Sequence, residues 1–323
     1  MPSDTARIFD SFDEALGPGE GRFFGSRYRS VTHRLSDVRA VGALGTRVEA
    51  LGQVELGGGW SVKTTVPAET PHLSTMDMLR FSATLAEIDL ACRVGLRSHE
   101  LAAAWVSQFS LTAGSAPVLD LARIVMSATV VSVDEEAGTA VSTRYEARFG
   151  LAKASITVRH PSGNGRRKAS DIGDVGSVLS DDAHRLYGGA HGESSHDVRR
   201  IRYDRDLSRL DFDVTVLAPQ GLAGLESAHF PSASLIDVLA IGGQAAQIVT
   251  YMLDDVDRDR SSPFWLRRIS FSAPFAQRPT RSTGTLHTKR SALVTRGRHV
   301  WRTAEFALEL ADVSVDASVA HLL

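Results

Sequence analysis

A chain of 323 residues, 43% hydrophobic and 23% charged, is long enough for two ordinary domains with a core each. A net charge of −2 leaves no basic excess to neutralise phosphates, so nucleic acid is not an expected partner. One cysteine, Cys92, excludes an intrachain disulfide and a Cys-based zinc site; the acidic start, residues 1–13, lacks the apolar run of a signal peptide, and no apolar stretch reaches the ~18 residues of a span. A cytoplasmic protein without a membrane partner is expected.

In chain order, the N-terminal region carries two compact polar-aromatic clusters, Arg22-Phe-Phe-Gly25 and Thr32-His33-Arg34. They suit a segment that closes a site or binds a phosphate or sugar hydroxyl, or an ordinary edge strand. A strand region over 47–66 comes next. Residues 75–94 then read as a long helix: Met76, Leu79, Ala83, Ala86 and Leu90 recur at spacings of three and four, and Ser74 is a candidate N-cap. β-rich runs occupy 104–111, 122–133, 139–149 and 152–160, with a turn over 134–138. Residues 161–195 are polar and Gly/Ser-rich and read as a linker plus the entry to the second half of the chain. Residues 210–217 alternate apolar and polar, the period-two mark of a half-buried strand. A second helix is predicted over 235–253, capped by Ser234, with Leu235, Leu239, Gly242, Ala246 and Val249 on its apolar face. Strands at 265–272, 283–294, 299–310 and 313–321 complete the chain, with a hairpin tip at Thr295-Arg-Gly297.

The second series repeats the first. A shift of 160 residues brings Pro71 onto Pro231, Ser74 onto Ser234, Asp77 onto Asp237, Trp105 onto Trp265 and Ser110 onto Ser270. A shift of 163 brings Arg22, Gly25 and His33 onto Arg185, Gly188 and His196, and Phe24 onto Tyr187. The order is kept across the chain, as an internal duplication predicts. One helix followed by a meander of long strands is the hotdog pattern. The expected fold is therefore α+β, a tandem double hotdog of two antiparallel sheets each wrapping a central helix. The expected halves are residues 1–165 and 166–323.

In such a pair a ligand would lie between the halves, near the helix N-termini, whose free N–H groups can polarise a thioester carbonyl. His229 precedes the second helix and Asp237 lies in its first turn; His72 and Asp77 stand in the first half. Each His with its Asp could form an acid/base pair, or each Asp could simply stabilise its helix dipole. Glu87 and Gln247 occupy matched mid-helix positions, with Gln244 one turn earlier. A buried polar group there either satisfies the sheet backbone or faces the substrate. Gly242-Gly243 offers close packing on the sheet or room for a ligand. Trp105 and Trp265 begin strands and suit core or interface packing; Trp265, Phe24, His33 and Gly243 are kept as candidate substrate contacts. His160 and His321 end the last strands and are expected at the surface. Calcium loops, Gly-rich nucleotide fingerprints and a Gly-x-Ser-x-Gly elbow are missing, so neither metal nor other cofactor is expected.

His229-Phe-Pro is similar to the helix approach of hotdog β-hydroxyacyl-ACP dehydratases, without their longer Pro/Gly-rich stretch. Arg22-Phe-Phe-Gly25, Tyr28, Val31-Thr-His33, Ser234-Leu-Ile-Asp237 and Gly243-Gln-Ala-Ala-Gln247 together resemble the avirulence protein D (AvrD) family over about residues 20 to 321. That resemblance implies an enzyme of small-molecule signalling that joins a β-ketoacyl thioester to a xylulose-like sugar, as in syringolide formation. It is distantly similar in logic to the hotdog A-factor synthases. The implied partners are an acyl carrier protein or CoA thioester and the sugar acceptor, with the chain a monomer or homodimer. The alternatives are a hotdog dehydratase or thioesterase without a sugar acceptor, and a non-catalytic acyl-binding protein with plugged sites. The unequal pairs Glu87/Gln247 and His72/Ser232 predict that one of two pseudo-equivalent sites is active.

Overall fold

The computed structural model describes residues 6–41, 46–57, 60–61, 70–135, 140–163, 178–179, 181–261 and 264–323. Among them, β1 (Ala6–Phe9), β2 (Val31–Val41), β3 (Arg47–Leu56), β4 (Trp105–Thr112), β5 (Ile124–Glu135), β6 (Ala140–Phe149) and β7 (Ala152–Pro161) form the first series of strands. The second is β8 (Ser195–Asp204), β9 (Arg209–Leu217), β10 (Phe264–Ser272), β11 (Arg281–Arg296), β12 (His299–Leu310) and β13 (Val313–Leu322). All pair antiparallel in one sheet, in the order β1-β8-β9-β11-β12-β13-β10-β4-β7-β6-β5-β3-β2. From the central β10-β4 pair outward, the sequence β10-β13-β12-β11-β9-β8 mirrors β4-β7-β6-β5-β3-β2. At the join, Ser270 lies opposite Ser110 and Phe271 opposite Phe109, so residues related by the 160-residue shift meet each other.

Two long helices lie against the sheet: α2 (Thr75–Asp89) and α4 (Leu235–Asp254). Two short ones, α1 (Phe12–Leu16) and α3 (Ser98–Ala103), pack at the edges. Both long helices start as predicted. Ser74 and Ser234 accept from the backbone N–H of Asp77 and Asp237 (3.1 Å each), whose carboxylates return a bond to the cap backbone (2.7 and 2.8 Å). Every residue of α2 after Thr75 is buried. In α4 the half-buried positions before the last turn are Gly242, Gly243 and Gln247, and they share one face. By length and composition α4 could cross a membrane, but 78% of its most apolar window is buried inside this fold. Beyond α2 a π-helical turn (Leu90–Val94) ends at left-handed Gly95, and α4 ends at left-handed Asp255.

Four expectations are corrected. The strands form one continuous sheet joined through β10 and β4, not two separate sheets. Residues 22–25 form a turn, not an edge strand, whereas Thr32-His33-Arg34 does lie in the edge strand β2, which starts at Val31; residues 185–188 form a matching turn. The shared glycines are sterically required. A Cβ at Gly25 would lie 2.4 Å from the Gly19 carbonyl oxygen, and one at Gly188 2.3 Å from that of Asp182. His160 and His321 are buried, because the last strands turn their ends under the helices. His160 bonds Thr143 Oγ1 and the Pro161 carbonyl, each at 2.8 Å, and the His321 ring meets the Tyr251 ring edge-on. The polar approach to the second half contains 3-10 turns at Asp182–His184 and Ala190–Glu193, and the strand β8 that follows it, before the one predicted at 210–217, went unpredicted. The tip predicted over 134–138 lies largely outside the described residues, as does the end of the region predicted over 47–66.

Candidate active site

The two lead-in segments cross over. Arg22 donates through Nη1 to Gln244 Oε1 on α4 (2.8 Å), and Arg185 donates through Nη2 to Thr84 Oγ1 on α2 (2.9 Å). Thr84 and Gln244 are related by the 160-residue shift, so each segment docks on the helix of the opposite series. Tyr28 stacks on its shifted counterpart His191 at 6.1 Å between ring centroids.

The first turn of each long helix holds a buried His–Asp pair, but not the pairs expected. Asp77 bonds His33 (Nε2 to Oδ1, 2.7 Å), and Asp237 bonds His196 (2.8 Å) and the Ser194 hydroxyl (2.6 Å). Arg80 Nη1, which can only donate, faces His33 Nδ1. His33 is therefore neutral with its proton on Nε2, donating to Asp77. Burial and the Arg80 charge hold its pKa low. Burial resists ionisation of Asp237, but the hydrogen bond and charge of His196 and the Ser194 and Ser234 hydroxyls outweigh it and hold the carboxyl at about 2. A folded-state pKa below the usual value stabilises the protein above about pH 4 and ceases to do so as pH falls toward 2. The contribution is on the order of 2 kcal/mol. Urea unfolding of the wild type and Asp237→Asn should differ at pH 7, and the difference should shrink by about that amount at pH 2.

A cavity of about 780 Å³ opens elsewhere, between α4 and strands β10 to β13. Its walls are apolar: Leu239, Ala246, Leu286, Phe306, Leu308 and Val315 are among them. Its mouth lies at the start of α2, where His72, Ser74, Thr75 and Met78 reach it. Gly242 and Gly243 border it and let Leu308 and Phe24 pack closely against α4, the first of the two roles the sequence offered. Their missing Cβ atoms would come within 2.7 Å of Leu308 and 2.8 Å of the Phe24 ring. Among the predicted residues, His72, Phe24, Gly243, Gln247 and Trp265 line the cavity; His229, Asp237, Asp77, Gln244, Glu87 and His33 do not. No Asp or Glu lines it among the described residues.

His72 is fixed by its neighbours. Its ring stacks on Trp265 (5.3 Å between centroids, 24° between planes) and leans on Trp60 at 4.9 Å. Nδ1 lies 3.1 Å from the Thr70 carbonyl, which only accepts, so Nδ1 carries the proton. In the neutral ring Nε2 is then an unprotonated acceptor. Among the described residues no carboxylate partners this histidine; a backbone carbonyl orients it. His229 does not pair with Asp237. It bonds the Ala103 carbonyl at 2.9 Å and sits edge-on to Trp105.

The location related to this mouth by the internal repeat is filled. His72, Leu73 and Val118 correspond to Ser232, Ala233 and Arg278, and the backbone bond from Leu73 to Val118 (2.9 Å) recurs from Ala233 to Arg278 (3.3 Å). There Arg278 pairs with Glu226, both side chains fully buried. Glu226 also accepts from Tyr187 (2.9 Å) and the Val106 N–H (3.0 Å). Next to them Glu87 pairs with Arg185 at 3.1 Å, whereas its counterpart Gln247 faces the open cavity. Glu226, Arg278 and Arg80 are buried charged positions that sequence reasoning missed. Glu226 has no shifted partner among the described residues, and Arg278 and Arg80 align with Val118 and Ala240. The repeat could have flagged both arginines, as loop and helix positions where only one copy is charged.

Solved structures resemble the chain weakly. A hot dog fold protein from Alicyclobacillus acidocaldarius is 11% identical, with 89% of this chain and 97% of that one covered and a TM-score of 0.40. The tesB protein of Mycobacterium avium subsp. paratuberculosis is 12% identical (88% and 95% covered, TM-score 0.38). The bifunctional dehydratase-cyclase domain of ambruticin biosynthesis is 15% identical (89% and 94% covered, TM-score 0.35). No curated protein sequence matches. The profile of the Pseudomonas avirulence D protein (AvrD) family matches residues 7–323, and the chain belongs to that family.

Proposed function

We propose that the chain is a tandem double hotdog, with residues 1–165 and 166–323 as diverged copies, and that it condenses a β-ketoacyl thioester with a sugar acceptor. The repeated strand order and the crossed Arg22/Arg185 docking support the duplication. The observation that carries the activity is the apolar cavity with a helix N-terminus and one base-ready histidine at its mouth. Its volume of about 780 Å³ suits an acyl chain.

In this reading the acyl chain runs between α4 and strands β10 to β13, over Gly242 and Gly243. The thioester carbonyl lies at the first turn of α2, whose unpaired N–H groups stabilise the developing oxyanion. His72 Nε2 takes the proton of the acceptor hydroxyl, whose oxygen attacks the carbonyl carbon. The C–S bond breaks and the thiol leaves with the proton that His72 returns. The acidic carbon between the two carbonyls then adds to the acceptor ketone, and loss of water closes a butenolide-type ring. Gln247 is placed to hold an acceptor hydroxyl. The partner is an acyl carrier protein or CoA thioester, and the open site is the one at α2.

Mass spectrometry of the purified protein with a β-ketooctanoyl thioester, with and without xylulose, tests this. The expected product has the mass of an acyl–sugar adduct less water and forms only with the sugar. Thioester loss that ignores the sugar would instead mark a thioesterase, with His72 activating water.

A further inference from the structure

We infer that the polar end of the cavity is an anion site, in which Arg22 and Arg258 take a phosphate carried by one of the two substrates. This rests on the reading above and names the substrate class it requires.

Four arginines and no carboxylate line the cavity among the described residues: Arg22, Arg258, Arg267 and Arg296. The last two are exposed at the rim; Arg22 and Arg258 have side chains only 3% and 10% exposed. They adjoin each other, since Arg258 Nη2 donates to the carbonyl of Gly21 (3.0 Å) as well as to Ser61 (3.0 Å). Each pairs with one exposed aspartate, Arg22 with Asp13 and Arg258 with Asp259 (3.5 Å); two buried guanidiniums so close still repel, and further anionic charge from the cavity side favours the pair.

The internal repeat shows which charge is missing. Arg22 and its counterpart Arg185 each hold one exposed aspartate, Asp13 and Asp182. Arg185 has a second, buried carboxylate: Glu87 accepts from its Nε at 3.2 Å. At the position matching Glu87, the Arg22 side has neutral Gln247, facing the cavity. Arg22 Nε is buried with no hydrogen-bond partner among the described residues. So where one copy places a buried glutamate, the other places an amide, an unpartnered guanidinium N–H, a second arginine and an open cavity. Burial, together with the charge of Arg258, lowers the pKa of Arg22 against the opposing pull of Asp13. A phosphate is the anion that fits, because it accepts from two guanidiniums at once and leaves the acyl chain in the apolar part.

The phosphate could belong to the acceptor sugar or to the carrier arm, and paired compounds separate these. Calorimetric binding and turnover would be measured for xylulose 5-phosphate against xylulose, and for β-ketooctanoyl-CoA against β-ketooctanoyl-pantetheine, with inorganic phosphate as competitor. In at least one pair the phosphorylated member should bind about tenfold or more tightly, and Arg258→Gln should remove most of that preference. Arg258→Lys should restore part of it, and Arg22→Gln should act in the same direction if it folds. Equal binding within both pairs, or a preference unchanged in Arg258→Gln, would overturn the anion site. Binding is read without turnover, so failure of the condensing reaction, with phosphate preference intact, would count against the proposed function alone.

Discussion

His72→Ala should lower kcat for thioester consumption about 10²- to 10⁴-fold, the range for loss of a positioned general base, with KM little changed. The side chain is half-buried and bonds only a loop carbonyl, so the variant should keep its fold and its circular dichroism. His229→Ala is the matched control. Its ring bonds the Ala103 carbonyl away from the cavity, and the variant should turn over at close to the wild-type rate. The reverse pattern, with His229→Ala inactive and His72→Ala active, would remove His72 from the mechanism.

The second large effect concerns stability. Glu226 and Arg278 form a fully buried pair, and Glu226 further holds Tyr187 and the start of β4. Removing either charge leaves the other buried without its partner. Glu226→Ala or Arg278→Ala should destabilise by about 3–5 kcal/mol. Replacing both at once, by Leu and Met, should be less harmful than either single change, because no orphan charge remains. Chemical denaturation of the three variants measures this. A double variant as unstable as the sum of the single changes would show that the pair is not coupled.

Much of this architecture is legible in the sequence, and the reason is the repeat. Ser74 and Ser234 cap helices because each is followed three residues later by an Asp, a local pattern that needs no tertiary information. The shift of 160 places Ser110 opposite Ser270 across the central strands, since a two-fold relation brings equivalent residues together. The His–Asp pairs were not legible, because proximity in sequence is a poor guide to proximity in space. His33 and His196 reach the aspartates from strands β2 and β8, 44 and 41 residues away along the chain. Which copy keeps its cavity is equally non-local. It depends on Glu226 and Arg278, 52 residues apart, meeting beneath Tyr187. The burial of His160 and His321 was hidden as well, since a polar residue at a strand end looks exposed unless the sheet's curvature is known.

The most direct test of the proposed site is a crystal structure of the protein with a β-ketoacyl thioether analogue that cannot be cleaved. The acyl chain should lie between α4 and strands β10 to β13, in contact with Gly242 and Gly243, with the carbonyl oxygen at the Thr75 end of α2 and His72 Nε2 facing the reacting carbon. An analogue bound at the Glu226–Arg278 side, or a cavity that stays empty at saturating analogue, would contradict it.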